Sequence, residues 1–149
     1  MEISDFLTPD RVLLEVRARD KNQLINEIAR ALGRLVPGLT PEAAQTALSA
    51  REQLGSTGLG AGFALPHARI EGLGAYVGLF VRLVKPIDFD AIDGKPVTLV
   101  FVLLIPSETT IPHVAALAAI SRKFRDADLV TSLRKAKTQV EAYRFLTNS

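Results

Sequence analysis

The sequence predicts an α/β protein: a mixed β-sheet between helical layers, a three-layer α/β/α sandwich in a single domain over residues 1–149. Three observations carry this expectation. Two mid-chain runs, Ala75 to Val84 and Val97 to Ile105, are apolar at nearly every position, so each reads as a strand covered on both faces. Two segments before them and three after repeat their apolar residues at helical spacing, which supplies the cover. A chain of 149 residues with 48% hydrophobic content also suffices for one good core at the commonest domain size. Strand order is not encoded in these patterns.

Between Arg11 and Arg19, the residues Val12, Leu13, Leu14 and Val16 with charges among them predict a first or edge strand. Asp20 with Gln23 resembles a capping box, and Leu24, Ile25, Ile28, Leu32 and Leu35 then recur at helical spacing until Pro37-Gly38 stops the run. Thr40-Pro41-Glu42 starts a second helix: threonine caps, proline sits where its missing donor costs nothing, and glutamate meets the positive end of the dipole. That helix runs to about Leu54, is ended by Gly55, and leaves Arg51 on its last turn. Pro86 to Pro96 reads as a turn-rich connector between the two central strands. After Pro106, Thr110 is the expected cap of a helix from His113 to Phe124 with Val114, Leu117, Ala118, Ile120 and Phe124 on one stripe. Asp126 caps a short helix through Leu133, and Thr138-Gln139-Val140-Glu141 is a capping box opening a last helix that carries Val140, Tyr143, Phe145 and Leu146.

Composition excludes several classes of function. With no cysteine there are no disulfides, thiolate zinc sites or cysteine nucleophiles, which fits a reducing compartment. The N-terminus lacks a basic segment followed by an apolar run, and the longest apolar run is too short to cross a bilayer, so a cytoplasmic location without membrane insertion is expected. Eighteen Lys+Arg against sixteen Asp+Glu leave a formal charge of only +2. The basic residues Arg122 to Arg125 and Arg134 to Lys137 are interspersed with Asp126, Asp128 and Glu141, and only Phe124 and Tyr143 supply local aromatics. They read as solvated helix faces, and no nucleic acid is expected as a partner.

The stretch from Arg51 to Arg69 concentrates glycines, hydroxyls, two arginines and one of the chain's two histidines. Glycine-rich backbone lets successive N–H groups turn toward an anion. Neither nucleotide signature fits: a Walker loop needs lysine where Ala61 follows Gly60, and a dinucleotide pattern from Gly58-x-Gly60 needs glycine where Phe63 stands. What remains is a loop of backbone donors, the hydroxyls of Ser56 and Thr57, and His67 just after Pro66, whose fixed φ stiffens the backbone presenting the imidazole. Neutral imidazole attacks phosphorus readily, and arginine neutralises the equatorial oxygens of the transferred group, which makes Arg51 and Arg69 the candidate cations.

The residues alone leave a second reading open. His67 reads equally as a structural or surface histidine, and Arg51 as a cation favourable by about 0.3–1 kcal/mol at a helix C-terminus. His113 lies in the first turn of its helix, where the positive dipole end disfavours imidazolium and free N–H groups attract anions; it too has a structural reading. No pair of histidines shows ligand spacing, so no metal is expected, even with Asp88, Asp90 and Asp93 nearby in sequence.

The run Arg51-Glu52-x-x-Gly55-Ser56-Thr57-Gly58-Leu59-Gly60-x-Gly62-x-Ala64-Leu65-Pro66-His67 resembles the active-site signature of enzyme IIA domains of the bacterial phosphotransferase system, fructose/mannitol type (type 2). The similarity extends to Pro86-Ile87-x-Phe89-Asp90-Ala91-x-Asp93-Gly94-x-Pro96-Val97, to the apolar strand ending at Pro106, and to a histidine opening the next helix, and so covers nearly the whole chain. The resemblance implies a three-layer fold and a phosphocarrier. In it His67 accepts a phosphoryl group from the phosphohistidine of an HPr-like carrier and becomes an Nε2-phosphohistidine. By the same likeness Arg51 lies beside the phosphate, His113 is the second site histidine, and Ser56, Thr57 and Gly58 form the phosphate-binding loop. No cofactor, metal or nucleotide is implied. Around His113 the pattern is looser, since Ile111-Pro112 is less polar than the family suggests.

A stand-alone domain looks like the nitrogen-regulatory branch, whose members bind regulatory target proteins according to phosphorylation state. The alternative within the family is a sugar-specific enzyme IIA that passes phosphate to an enzyme IIB. From a different class, the alternative is an anion- or protein-binding module whose histidine is never phosphorylated.

Overall fold

The computed structural model describes residues 1–109 and 113–148. Ten consecutive uncharged residues rich in valine and leucine can be buried only where both faces are covered, and strand β6 (Val97–Pro106) takes that place. Its longest partner is antiparallel β5 (Val77–Ile87), to whose other edge β1 (Val12–Val16) is added in parallel. The remaining flank of β6 is filled by two short parallel strands, β3 (Phe63–Ala64) and β4 (His67–Ile70), with β2 (Gly58–Gly60) hairpinned onto β3. The result is a mixed six-stranded sheet in the order β1-β5-β6-β3-β2, with β4 also paired to β6.

Side-chain alternation along β6 sorts the core into two halves. Val100, Val102 and Leu104 face α1 (Lys21–Leu35) and α2 (Pro41–Gln53), meeting Leu24, Ile28, Leu32 and Leu48. Leu99, Phe101, Leu103 and Ile105 face α3 (Val114–Phe124), α4 (Ala127–Lys135) and α5 (Gln139–Thr147), meeting Ile120, Phe124, Leu133 and Leu146. These are the three layers the sequence predicts. One-turn 3-10 helices at Ile3–Asp5 and Pro9–Arg11 lead into β1.

Helix starts follow their caps. Asp20 accepts from the Gln23 amide at 2.8 Å, while the Gln23 side chain reaches back to the Arg19 amide, one residue upstream of an ideal capping box. Thr40, Asp126 and Thr138 accept from Ala43, Leu129 and Glu141 in the same way. The expected cap Thr110 lies outside the described residues.

Three expectations are corrected. The stretch around Gly58 to His67, read from sequence as a glycine-rich loop, contains β2, β3 and the start of β4, because the free flank of β6 offers backbone partners to any extended segment nearby. β5 runs past Val84 through Pro86 to Ile87; β1 ends opposite Leu83 and the ladder to β6 shifts register between Arg82 and Ile87, so proline has no ladder bond to forfeit. Val114 and Val140, placed on the apolar stripes of the last helices, are 66% and 47% exposed. The buried faces there are Ala116, Ala119, Ile120 and Phe124 in α3, and Ala142 and Leu146 in α5.

Candidate active site

His67 is the first residue of β4, paired in register with Leu103 of β6, and the Leu103 amide donates to the Pro66 carbonyl immediately before it. Its ring is therefore presented from the sheet. Ala68 and Ile70 alternate onto the opposite face and bury against the α1–α2 layer. Nδ1 of His67 lies 2.8 Å from the Leu65 carbonyl oxygen. A carbonyl only accepts, so Nδ1 carries the proton, and in the neutral ring the lone pair is on Nε2. Burial lowers the pKa of His67 below 6.5, with Arg51 and His113 pushing the same way; the Leu65 hydrogen bond and Glu52 oppose. The ring is held neutral, with one defined nucleophilic nitrogen.

Arg51 sits on the last turn of α2, where Nη1 donates to the Gly55 carbonyl at 2.9 Å. It thus holds the residue that follows the helix C-cap and at the same time sets a positive charge near His67. His113 stands at the N-cap position of α3 and makes no capping bond with its side chain. An Nη2 hydrogen of Arg69 instead donates to Nδ1 of His113 at 3.3 Å, which places the proton of the neutral ring on Nε2. The two contacts favour opposite tautomers: His67 offers a lone pair, His113 a hydrogen-bond donor. Sequence reading assigned Arg69 no more than a charge. Its contact with His113 joins residues 44 apart and leaves no local signal.

The loop hydroxyls and the Gly58 amide are paired within the fold. Ser56 donates to the Phe89 carbonyl at 2.6 Å and accepts from the Gly58 amide at 3.0 Å. Thr57 is 2% exposed, and both its amide and its hydroxyl donate to the Glu52 carboxylate. Gly58 permits the close approach of the Phe89–Ala91 segment, since a Cβ there would lie 2.8 Å from Ala91 Cα. The structure brings Ser56, Thr57 and Gly58 beside the site with their polar groups already paired to one another and to the scaffold.

Glu52, quoted in the motif but given no role, is the hub of that scaffold. Its side chain is 6% exposed and pairs with Lys21 Nζ at 2.9 Å, at the start of α1. Lys21 also lies 4.5 Å from the Phe89 ring centroid. The turn that closes the β2–β3 hairpin is held from outside: Asp93 accepts from the Ala61 amide at 2.9 Å, where Ala61 has φ 55°, and from the Lys95 amide at 3.0 Å. Those bonds lower the Asp93 pKa below 3.8.

Among the described residues, no group of three or more His, Cys, Asp or Glu side chains converges as a metal site, and no helix is long and apolar enough to cross a membrane. Residues 5–149 match the family "Phosphoenolpyruvate-dependent sugar phosphotransferase system, EIIA 2". The chain is 38% identical over 146 residues to a nitrogen regulatory protein of Bradyrhizobium diazoefficiens, covering 98% of this chain and 95% of that protein. Its fold superposes on the crystal structure of the nitrogen regulatory protein IIA-Ntr from Neisseria meningitidis with a TM-score of 0.91 at 36% identity, covering 97% and 99% of the two chains. The mannitol IIA of Escherichia coli shares the fold at a TM-score of 0.76 and 20% identity, over 95% of this chain and 99% of that one.

Proposed function

Because this chain belongs to the EIIA 2 family of the phosphoenolpyruvate-dependent sugar phosphotransferase system, we propose that it is a cytoplasmic phosphocarrier of the nitrogen-regulatory branch, phosphorylated on Nε2 of His67. The observation that carries the reading is the Nδ1–Leu65 hydrogen bond, which leaves Nε2 unprotonated in a ring whose pKa is lowered by burial. The Nε2 lone pair attacks the phosphorus of an incoming phosphohistidine on an HPr-like carrier. The new P–N bond forms as the old one breaks, and the departing electron pair stays on the donor's ring nitrogen. Arg51 and the Nε2–H of His113, oriented by Arg69, face the charge on the equatorial oxygens. Ser56, Thr57 and Gly58 hold the loop in shape behind them.

Exposed apolar residues support a docking face for the donor. Leu54, Leu59, Ile92 and Val114 are 86%, 50%, 88% and 66% exposed, and all belong to segments that build the site. Phosphorylation adds about −1.5 to −2 charges to this face, enough to favour or repel a regulatory target. The nitrogen branch is favoured over sugar transport by 38% identity along nearly the full length of a nitrogen regulatory protein, whereas the mannitol likeness is one of fold.

The test is incubation with enzyme I, HPr and phosphoenolpyruvate, followed by mass spectrometry that locates the modified residue. The reading expects an acid-labile phosphoryl group on His67 and none on His67→Ala. Absence of label on the intact chain, or undiminished label on the variant, rejects it.

A further inference from the structure

A cavity of about 730 Å³ lies along β1, at the edge of the sheet opposite β4. Consecutive residues 12–17 make its floor, Arg30 and Arg34 of α1 stand on one bank, and Lys137 of the α4–α5 connection with Gln139, the first residue of α5, on the other. A second hollow of about 600 Å³ shares Leu14, Glu15, Arg17 and Arg82 with it and adds Arg134. We infer that this groove is a second interaction surface, which takes an extended acidic segment of a partner protein.

Charge is the first argument. Arg17, Arg30, Arg34, Arg82, Arg134 and Lys137 against Glu15 and Glu27 give the two hollows an excess of four positive charges. The whole chain, with 18 cations against 16 anions, has an excess of two, so the rest of the molecule is net negative by two. The positive character of the protein is concentrated at this edge. Glu27 is already engaged by Arg30 at 3.3 Å, whereas Arg17, Arg34 and Lys137 have no carboxylate partner among the described residues. An incoming carboxylate meets them without displacing an ion pair.

Shape and chemistry select the kind of anion. The cations come from several elements set around β1: Arg17 just past its end, Arg30 and Arg34 on α1, Arg134 at the end of α4 and Lys137 after it. The strand they surround is about 17 Å long at 3.3–3.4 Å per residue, so carboxylates spread along a segment match them better than one compact anion does. Two carbonyls of β1 are already taken, Val12 by Gln139 at 2.7 Å and Leu14 by Arg82 at 3.1 Å. Simple strand addition is therefore obstructed, and recognition falls to side chains. No aromatic side chain lines either hollow, so nucleic-acid bases find nothing to stack on. The edge is separated from β4 by β5 and β6, about 14 Å at the usual strand spacing, so a segment bound here leaves His67 accessible.

The experiment is an NMR titration of the isotopically labelled full chain with a short peptide that alternates glutamate and valine. Shift changes are expected within 12–17, 27–34 and 134–139, not around His67, with binding that weakens as salt is raised. Arg17→Glu with Arg34→Glu should weaken binding by about tenfold or more, and Arg122→Glu with Arg125→Glu, the same charge change on another exposed face, by less than about twofold. If the first pair melts early, Arg17→Gln with Arg34→Gln serves in its place. Shifts centred on His67, equal losses in both pairs, or tighter binding of an oligonucleotide of equal charge would overturn the inference. His67→Ala should bind the peptide as the parent chain does, which separates this surface from phosphoryl acceptance.

Discussion

A histidine that attacks phosphorus needs an unprotonated nitrogen aimed at its target, and His67 obtains one from burial and from a single carbonyl. Burial sets its pKa below 6.5, so on acidification the phosphoryl-acceptance rate should fall with a midpoint below 6.5, measurable in a rapid-quench pH series. The same shift has a consequence for stability. Between the lowered value and 6.5 the unfolded chain binds a proton that the folded chain refuses, so stability rises with pH across that window. Denaturant melts of His67→Ala should show a flatter slope there. Arg69→Ala removes the donor to Nδ1 of His113, so nitrogen spectra should show mixed tautomers and acceptance should slow by about tenfold to a hundredfold. Carrier binding should change little. His67, Arg51 and His113 were legible as candidates because they sit in a linear motif or at a helix start. The Arg69–His113 and Lys21–Glu52 contacts were not, because spacing along the chain says nothing of which side chains meet across the fold.

Short elements depend on partners supplied from elsewhere. β2, β3 and β4 have three, two and four residues, too few for alternation to register, and two of the three residues of β2 are glycine. They exist because β6 has a flank to be paired and because Asp93 holds the turn between β2 and β3. Asp93→Ala should speed hydrogen exchange at the Ala61 and Lys95 amides. The Asp93 pKa is lowered, so its stabilising effect is present above 3.8 and is lost as pH falls through the lowered value; the variant should lose that part of the acid dependence. Helices were more legible, since a cap and its partner are three residues apart. Their packing was not. A Cβ at Gly33 would lie 2.5 Å from Pro41 Cγ, so Gly33→Ala should destabilise the α1–α2 pair by about 1–3 kcal/mol despite the better helix propensity of alanine, read from urea melts.

At the scale of the molecule, one strand joins the two halves of the core. Phe101 of β6 is fully buried, lies edge-on to Phe6 and approaches Phe124 of α3. Phe101→Ala should cost about 3–5 kcal/mol, a large share of the 5–15 kcal/mol typical of a domain, and lower the melting temperature without moving His67, which packs from another strand. The layered class, the five helices and the candidate imidazole came from the sequence by itself, because periodicity, capping and a contiguous motif act over a few neighbouring residues. Strand order, the opposite tautomers of the two histidines, the carboxylate hub at Glu52 and the cationic edge along β1 were decided only by the tertiary structure. Each joins groups far apart in the chain, as Gln139 and Val12 are by 127 positions, and such pairs meet only after the sheet has set its order.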